Sequence, residues 1–529
     1  MRVITVIAAG CLLSISTLAA VSSDVADAVM KKNPEALRSL LARKAEVNAP
    51  QADGTTALHW AARWDGLAAA DLLIRAGADV KAANRQGATP MFLATQNGNA
   101  AMIEKLLKAG ADPNAPILSH GETALMMASR SGNVDAVRLL LDRGAQLNAK
   151  DTLRGTTAAM WAAEQSHAAV LQLLADRGAD LKAQSAVIVP PKRGGLGFAP
   201  LTKEGVRPSG PPKGGLTALM LAAREGTLDC VQVLVKGGSE VNQTSVDGSS
   251  ALLVAVQNGN YAVAEYLLDH GADPNLANGK DWSPLYLTVK NRNQEATALP
   301  GPGTEGALEF ITTLLARGAN PNVRIKADTE VHQAMTALWL KEAGATPLLR
   351  AALSGDITVV RLLLDHGADP SIPTFDRTTP LMAASGVGWA EGTIHEHSTD
   401  ETLDVVKLLL EKRGDINAAN DHGITALHGA GYKGANQVVQ LLVDRGADLA
   451  AQDKGEDFGF GASSAHMTPL NWAEGVPIGM SSAIFHKDTV ALMTRLMQER
   501  GIPIMSNSAG QRQKAPTYVF GGANAEIVQ

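Results

Sequence analysis

Apolar positions along the chain fall into two alternating kinds of short stretch, separated by polar turns. One kind begins with Thr or Ser and reads TALHWAA from Thr56 and TPLMAAS from Thr379. The other carries a Leu-rich stripe and ends at a Gly, as in LLDHGADP, which occurs at Leu267–Pro274 and again at Leu363–Pro370. In both kinds the apolar residues recur three and four positions apart, which predicts short amphipathic helices.

The Gly that ends the Leu-rich stretch recurs with a fixed period. Its shortest intervals are 32 to 34 residues, and each longer interval is one period plus an insert. Thr or Ser at the start of the other stretch caps a helix, and Gly adopts the left-handed conformation found after a helix C-terminus. One period therefore predicts a turn, a helix, a second turn and a second helix. The glycines are Gly77, Gly110, Gly144, Gly178, Gly238, Gly271, Gly318, Gly367, Gly414, Gly446 and Gly501, and Lys44 holds the corresponding place one period earlier.

This unit resembles the ankyrin repeat in its length, in its TALH start at Thr56 and Thr425, and in its GADPN ending at Gly110 and Gly271. The resemblance covers roughly residues 22–503. It implies an all-α fold, a right-handed ankyrin-repeat solenoid of about twelve helix-turn-helix units joined by β-hairpin fingers. It also implies an extended concave surface, formed by the fingers and the ends of the first helices, on which a partner binds. The first and last units are interpreted as capping repeats.

Long intervals between the repeat markers locate the inserts. They divide the chain into N-terminal repeats at 23–182, a basic insert rich in Pro and Gly at 183–215, further repeats with inserts at 216–503 and a C-terminal tail at 504–529. The insert at 183–215 is interpreted either as a solvated flexible loop or as a strap that closes over an acidic partner. Another insert, at 324–343, predicts an extra short helix, because its apolar residues share one helical face: Val331, Met335, Leu338 and Trp339.

The first residues of the chain form a separate segment. A single early cation, Arg2, precedes an apolar run, and small residues follow in LAAVSS. This pattern predicts a signal peptide at 1–22, with a retained membrane anchor as the alternative. Its cleavage would leave Cys230 as the one cysteine and would exclude an internal disulfide. We therefore expect an exported protein, periplasmic or secreted and in a bacterial envelope by preference, with no membrane span after cleavage.

Neither the net charge nor the sequence motifs indicate nucleic-acid binding, catalysis or metal binding. The formal net charge of −6 is small for 529 residues and gives no reason to expect nucleic acid as a partner. The chain lacks a nucleophile elbow, a phosphate loop and a paired-Cys metal motif. We therefore predict a protein-binding scaffold without catalysis, cofactor or metal. The alternative is an enzyme or metal-dependent module near His395, His397 and His466, since His beside carboxylates suits zinc.

The resemblance also implies which side chains face the partner, itself a protein whose identity the sequence does not indicate. Trp60, Trp161 and Trp472 share one place inside the first helix and are predicted to pack in the core. Exposed Trp and Arg are the residues that most often carry binding energy in protein interfaces. We therefore predict that the partner contacts residues at finger tips and first-helix ends. These residues are Arg63, Trp64, Gln96, Asn97, Arg130, Arg224, Trp282, Lys290, Tyr432 and Lys433.

Overall fold

The computed structural model describes residues 23–189, 212–293, 305–327, 340–389, 397–455, 466–476 and 484–504. Within these ranges every regular element is an α-helix, and β-pairing is limited to two isolated antiparallel bridges. Several predictions lie outside these residues: the signal peptide, most of the insert at 183–215, the extra helix of the insert at 324–343, the tail beyond residue 504 and His395. The predicted all-α fold is confirmed.

The helices alternate in pairs, as the period predicts. The first helices are α1 (Asp24–Met30), α3 (Ala57–Arg63), α5 (Pro90–Gln96), α7 (Ala124–Ser131), α9 (Ala158–Glu164), α11 (Ala218–Glu225), α13 (Ala251–Gln257), α15 (Pro284–Arg292), α17 (Pro347–Leu353), α19 (Pro380–Ala384), α21 (Ala426–Lys433) and α23 (Pro469–Gly475). The second helices are α2 (Pro34–Ala42), α4 (Leu67–Arg75), α6 (Ala100–Lys108), α8 (Val134–Asp142), α10 (Ala168–Asp176), α12 (Leu228–Lys236), α14 (Tyr261–Asp269), α16 (Ala307–Ala316), α18 (Ile357–Asp365), α20 (Thr399–Glu411), α22 (Asn436–Asp444) and α24 (Lys487–Glu499).

Internal contacts divide the chain into two units. Unit 1 comprises Met1–Ala222 and Asp229–Ser239, and unit 2 comprises Ala223–Leu228 and Glu240–Gln529. In unit 1 each first helix from α1 to α9 packs against the next first helix, and the same holds from α13 to α23 in unit 2. Each helix pair buries its apolar face against its neighbours in sequence, which is the packing expected of a repeat array.

Short fingers join consecutive pairs. The finger between α4 and α5 is a turn closed by backbone bonds from Asn84 N–H to Ala88 O at 3.0 Å and from Gly87 N–H to Asn84 O at 2.9 Å, so the predicted hairpins form without β-strands in the described residues. Neighbouring fingers are also joined, for example by Arg85 N–H donating to Asp53 O at 2.9 Å. These bonds satisfy backbone groups that would otherwise be left unpaired between repeats.

An Asn near the end of a repeat bonds to the next repeat. Asn114 Nδ2 donates to Gly144 O at 3.0 Å. Its Oδ1 accepts, at 2.7 Å, from the backbone N–H of the residue two positions after Gly144. In unit 2 Asn275 makes the same two bonds with Gly318 O and with the N–H two residues beyond it, at 2.9 and 2.7 Å. Asn114 and Gly144 are 30 residues apart, whereas Asn275 and Gly318 are 43 residues apart. The bridge therefore keeps its geometry when an insert lengthens the repeat.

His428 links a helix cap to the next repeat. Its Nδ1 accepts from the backbone N–H of Thr425 at 3.1 Å, and its Nε2 lies 3.1 Å from Met467 O. His59 makes the equivalent bonds in unit 1. An imidazole that accepts at Nδ1 and donates at Nε2 must be neutral. Burial lowers the pKa of His428 to about 4, although the carbonyl of Met467 opposes this shift.

Acid is therefore expected to destabilise unit 2 through His428. The unfolded chain binds a proton at the ordinary His pKa of 6.5, whereas the folded chain binds it at about 4. The contribution of neutral His428 is complete above pH 6.5 and is lost as the pH falls toward 4, by about 3 kcal/mol in total.

His428→Asn supplies the control for this prediction. Asn471 occupies the equivalent position in α23, where its Oδ1 accepts from Thr468 N–H at 3.0 Å without titrating. Urea unfolding at about pH 7 and about pH 5 should show a smaller loss of stability for His428→Asn than for the native chain. Equal losses in the two proteins would rule out His428 as the source of acid sensitivity.

Candidate functional site

Unit 1 exposes a Trp between two cations at the end of α3. The Trp64 side chain is 41% exposed and stacks on Trp60, with 5.8 Å between ring centroids and 20° between ring planes. Lys32 Nζ lies 4.2 Å and Arg63 Cζ lies 5.6 Å from the centroid of the Trp64 ring. Trp60 Nε1 donates to Gln51 Oε1 at 2.8 Å, which fixes the ring beneath Trp64. Arg63 and Trp64 therefore lie at the surface, held by their neighbours.

A second cation–aromatic arrangement lies at the end of α7. Arg130 is exposed, and its Cζ lies 5.3 Å from the centroid of the Trp161 ring. Arg154 Cζ lies at the same distance from Trp161, and this guanidinium is also 3.5 Å from Glu164. Trp161 is 7% exposed and its Nε1 donates to Thr156 Oγ1 at 2.8 Å, which agrees with its predicted place in the core. We call Lys32, Arg63, Trp64, Arg130 and Trp161 the cationic strip.

Gln96 and Asn97 lie between the two arrangements, at the end of α5. Both are exposed, but the amide of Asn97 is used within the fold. Its Nδ2 donates to Arg63 O at 2.9 Å and to Asp65 Oδ1 at 3.1 Å, and so satisfies a carbonyl at the C-terminus of α3. Asn97 thus positions the backbone that carries Arg63, whereas the Gln96 side chain faces solvent.

In unit 2 several predicted contact residues are engaged within the fold. Trp282 is half-buried, its Nε1 donates to Ala327 O at 2.8 Å, and Lys280 Nζ lies 4.4 Å from its ring centroid. Arg224 is half-exposed and its Nε donates to Glu225 Oε1 at 2.9 Å. Lys290, within the last turn of α15, is half-buried. These side chains are less accessible than Lys32, Arg63, Trp64 and Arg130, the exposed members of the cationic strip.

The structure corrects the prediction for Tyr432. It was predicted to face a partner, but it is 3% exposed. Its ring meets Trp389 and Trp472 edge to face, with centroids 6.1 and 6.0 Å apart. The predicted exposed position of Tyr432 is therefore wrong, because an aromatic residue from the following repeat and one from the α19–α20 connection cover it. Lys433 next to it is half-exposed, with its Nζ 5.9 Å from the Trp389 ring centroid.

The predicted alternative, a metal site near the His residues of the inserts, gains no geometric support. His397 Nε2 lies 3.7 Å from Asp356 Oδ2, and its Nδ1 lies 3.8 Å from Glu401 Oε2. The two carboxylates flank opposite ring nitrogens, so they cannot share one ion with the imidazole. His466 N–H donates to Asp453 O. Across the described ranges, no group of three or more His, Cys, Asp or Glu side chains is arranged to hold a metal ion.

Cys230 has the environment of a structural thiol. It is fully buried in α12, and burial, with a smaller effect of Asp229, raises the pKa of its thiol to about 11. A thiol with this pKa stays protonated near neutral pH and is a poor nucleophile.

Sequence reasoning missed Lys32 and Arg154. Lys32 follows α1 in the left-handed region, with φ of 55°, in a first unit that lacks the Thr marker by which the other helix ends were located. Arg154 lies on a finger, and its approach to Trp161 depends on how that finger folds back. A comparison of the second residue after each first helix would have aligned Lys32 with Asp65.

Family models match most of the repeat region. The model for a single ankyrin repeat matches residues 343–375 and 422–454. The model described as ankyrin repeats in three copies matches residues 25–117, 115–185, 200–278 and 219–325.

Three proteins with similar sequences span only parts of the chain. The chain is 32% identical to palmitoyltransferase AKR1 of Lachancea kluyveri over 27% of this chain and 17% of that protein. It is 35% identical to ankyrin repeat, SAM and basic leucine zipper domain-containing protein 1 of Dasypus novemcinctus, over 20% of each chain. It is 31% identical to human ankyrin repeat and SOCS box protein 3, over 17% of this chain and 22% of that protein. The chain thus spans about a fifth of the length of these curated relatives.

Solved structures with partial similarity include two ankyrin repeat domains. The domain of human ASB11 is 22% identical, with a TM-score of 0.39, and the match covers 48% of this chain and 100% of that one. The domain of Bcl-3, described as a unique member of the IkappaB protein family, is 28% identical, with a TM-score of 0.36 over 44% of this chain and 94% of that one.

Proposed function

Because the chain belongs to the ankyrin-repeat family, we propose that it is an exported protein-binding scaffold of about twelve repeats, without catalysis of its own. The observation that carries this proposal is the cationic strip of unit 1, where the Arg63, Trp64 and Arg130 side chains are exposed at the ends of α3 and α7. Similarity to a palmitoyltransferase extends over 17% of that protein, so acyl transfer is no part of the proposal.

Binding energy on such a surface comes from burying aromatic area and pairing guanidinium groups. Trp64 supplies a large ring that loses solvent contact on binding, and Trp and Arg are the residue types most enriched at interface hot spots. Both are held by rigid helices, which lowers the entropy lost when a partner docks. This favours recognition by the pre-formed ends of α3 and α7 over folding of a loop upon binding.

Export is proposed from the N-terminal sequence. No helix in the described part of the chain has both the length and the apolar character needed to cross a membrane. N-terminal sequencing of the protein recovered from the producing cell tests this proposal. A mature chain that begins near Ser23 would support it, whereas a chain that retains Arg2 would contradict it.

The scaffold proposal is tested by capture of a partner with a tagged chain. The variant Arg63→Ala/Trp64→Ala removes the exposed end of α3. The matched control, Arg75→Ala/Phe485→Ala, removes an exposed Arg of α4 and a Phe that is 60% exposed. After crosslinking in the exported fraction, we expect the native chain and the control to capture the same protein, and the strip variant to capture at least about tenfold less. Equal capture by both variants would place the binding surface elsewhere.

A further inference from the structure

We propose that the cationic strip recognises an acidic segment of the partner, with two carboxylate groups spaced along an extended chain. This inference rests on the proposed function and adds the chemical class of the partner. It starts from the cations of unit 1, several of which pair with carboxylates while others lie beside Trp rings.

Five cations on or just after the second helices of unit 1 have carboxylate partners, whereas Arg38 and Arg75 on α2 and α4 have none in the part of the chain that the structure describes. Those pairs are Lys105 with Asp71, Lys108 with Glu104, Arg138 with Asp135, Arg143 with Glu104 and Arg177 with Asp142. The strip cations contact rings instead: Lys32 and Arg63 lie over Trp64, and Arg130 lies over Trp161. Within the described residues these three cations form no ion pair. Their positive charge is therefore left for an external anion.

Cation–π contacts with Trp leave the guanidinium groups able to bind a carboxylate. Arg63 Cζ lies 5.6 Å from the Trp64 ring centroid and Arg130 Cζ lies 5.3 Å from the Trp161 ring centroid, and a guanidinium in such a contact can still donate two parallel hydrogen bonds to a carboxylate. Because the ring restricts the side chain, less rotamer entropy is lost when these bonds form. Arg63 and Arg130 are thus suited to fixed carboxylates, which a flexible Lys would bind less specifically.

Spacing between the two Arg residues fits a short acidic segment. Each lies seven residues after the capping Thr of its helix, Thr56 or Thr123, and α3 and α7 are separated by α5. Packed helices lie about 8–10 Å apart, so the two guanidinium groups lie roughly 20 Å from each other. An extended chain advances about 3.3 Å per residue, which places the two carboxylates about six residues apart.

Neighbouring residues set the limits of this surface. Gln96 holds the same position in α5 and is neutral and exposed, so it leaves the path between the two Arg residues open to an acidic chain. The next equivalent position, in α9, is Glu164, which pairs with Arg154 and repels carboxylates. On the α3 side Asp65 accepts from Asn97, which ties its carboxylate to the fold. The segment is thus expected to bind from α3 to α7.

The test uses fluorescein-labelled peptides and fluorescence anisotropy with the full chain. The probe is a Gly/Ser peptide with two Glu-Glu pairs about six residues apart, and the comparison peptide carries Lys in place of Glu. Arg63→Glu/Arg130→Glu reverses the strip. Arg38→Glu/Arg75→Glu makes the same change at two exposed second-helix positions that carry no ion pair. Circular dichroism checks that both variants remain folded.

We expect the native chain to bind the Glu peptide, more tightly at low salt than at physiological salt. The strip variant should lose on the order of tenfold or more in affinity and prefer the Lys peptide, and the control should stay within about twofold. Absence of binding to the native chain, or equal losses in both variants, would overturn the inference. Tighter binding of phosphatidylserine vesicles or of single-stranded DNA than of the Glu peptide would also overturn it.

The two proposals fail separately. If capture of a partner depends on Trp64 while the Glu peptide does not bind, the scaffold function stands and the acidic chemistry of its partner is wrong. If the Glu peptide binds through Arg63 and Arg130 while no protein is captured, the strip is an acidic-segment site and the scaffold proposal fails.

Discussion

Arg292→Ala is expected to lower the free energy of unfolding of unit 2 by about 3–5 kcal/mol. Arg292 Nε donates to Asp356 Oδ2 at 2.8 Å, and the Asp356 side chain is 1% exposed. Asp356 also caps α18, since its Oδ1 accepts from Val359 N–H at 3.2 Å. Removal of the guanidinium leaves a buried carboxylate without its cation, which costs far more than an ordinary surface pair.

Two further variants test whether the loss of stability comes from the unpaired buried charge of Asp356. Arg292→Ala/Asp356→Asn removes the buried charge and keeps a side-chain oxygen at the cap, so it should recover most of the loss. Arg317→Ala breaks an exposed pair with Asp269, whose side chains are 46% and 56% exposed, and should cost less than about 1 kcal/mol. Urea unfolding of the full chain and hydrogen exchange of the α18 amides measure these effects. A loss for Arg292→Ala as small as that for Arg317→Ala would contradict the prediction.

Trp472→Ala is expected to destabilise unit 2 by about 3–5 kcal/mol. Trp472 is 1% exposed, and its ring meets His428 and Tyr432 edge to face, with centroids 5.7 and 6.0 Å away. Its Nε1 donates to Asp453 Oδ2 at 2.8 Å. The substitution therefore leaves a cavity between α21 and α23, and it also deprives a buried carboxylate of one donor.

Trp60 provides the matched control, because it holds the same position in α3 but is half-buried. Trp60→Ala should cost about half as much, since less apolar surface is lost and the freed Gln51 amide can reach water. Trp472→Phe keeps most of the packing and should cost about 1–2 kcal/mol for the lost hydrogen bond. Urea midpoints of the three variants test this order. Equal losses for Trp60→Ala and Trp472→Ala would show that burial is not the cause.

The helix pairs could be predicted from sequence because the interactions that form them are local. Thr379 was expected to cap a helix, and its Oγ1 accepts from Met382 N–H at 3.2 Å. Each pair contacts its neighbours in sequence, so a periodic pattern contains the information needed for the fold. The same reasoning placed Arg63, Trp64 and Arg130 at exposed helix ends, because position in the repeat determines which way such a side chain points.

Predictions from the repeat pattern failed where an insert contributes a contact. Tyr432 has the repeat position of an exposed residue, yet Trp389 covers it from a connection that other repeats lack. An insert also supplies a contact to Arg350 in α17. This Arg replaces the apolar or aromatic residue usual at its position and is 3% exposed, with its Nε 3.8 Å from Glu342 Oε1. Glu342 belongs to an irregular insert, so no periodicity indicates that it lies beside Arg350.

Because the Asn bridge joins one repeat to the next, the helices that follow a loop keep their position whatever the length of that loop. Asn114 and Asn275 form the same pair of bonds across 30 and 43 residues of chain. A segment gained between two such anchor points leaves the downstream repeats in place, so an insertion can arise in a single genetic step without a compensating change. Loops of different length can thus be joined to the same repeat frame, and foreign segments should be tolerated best where inserts already occur.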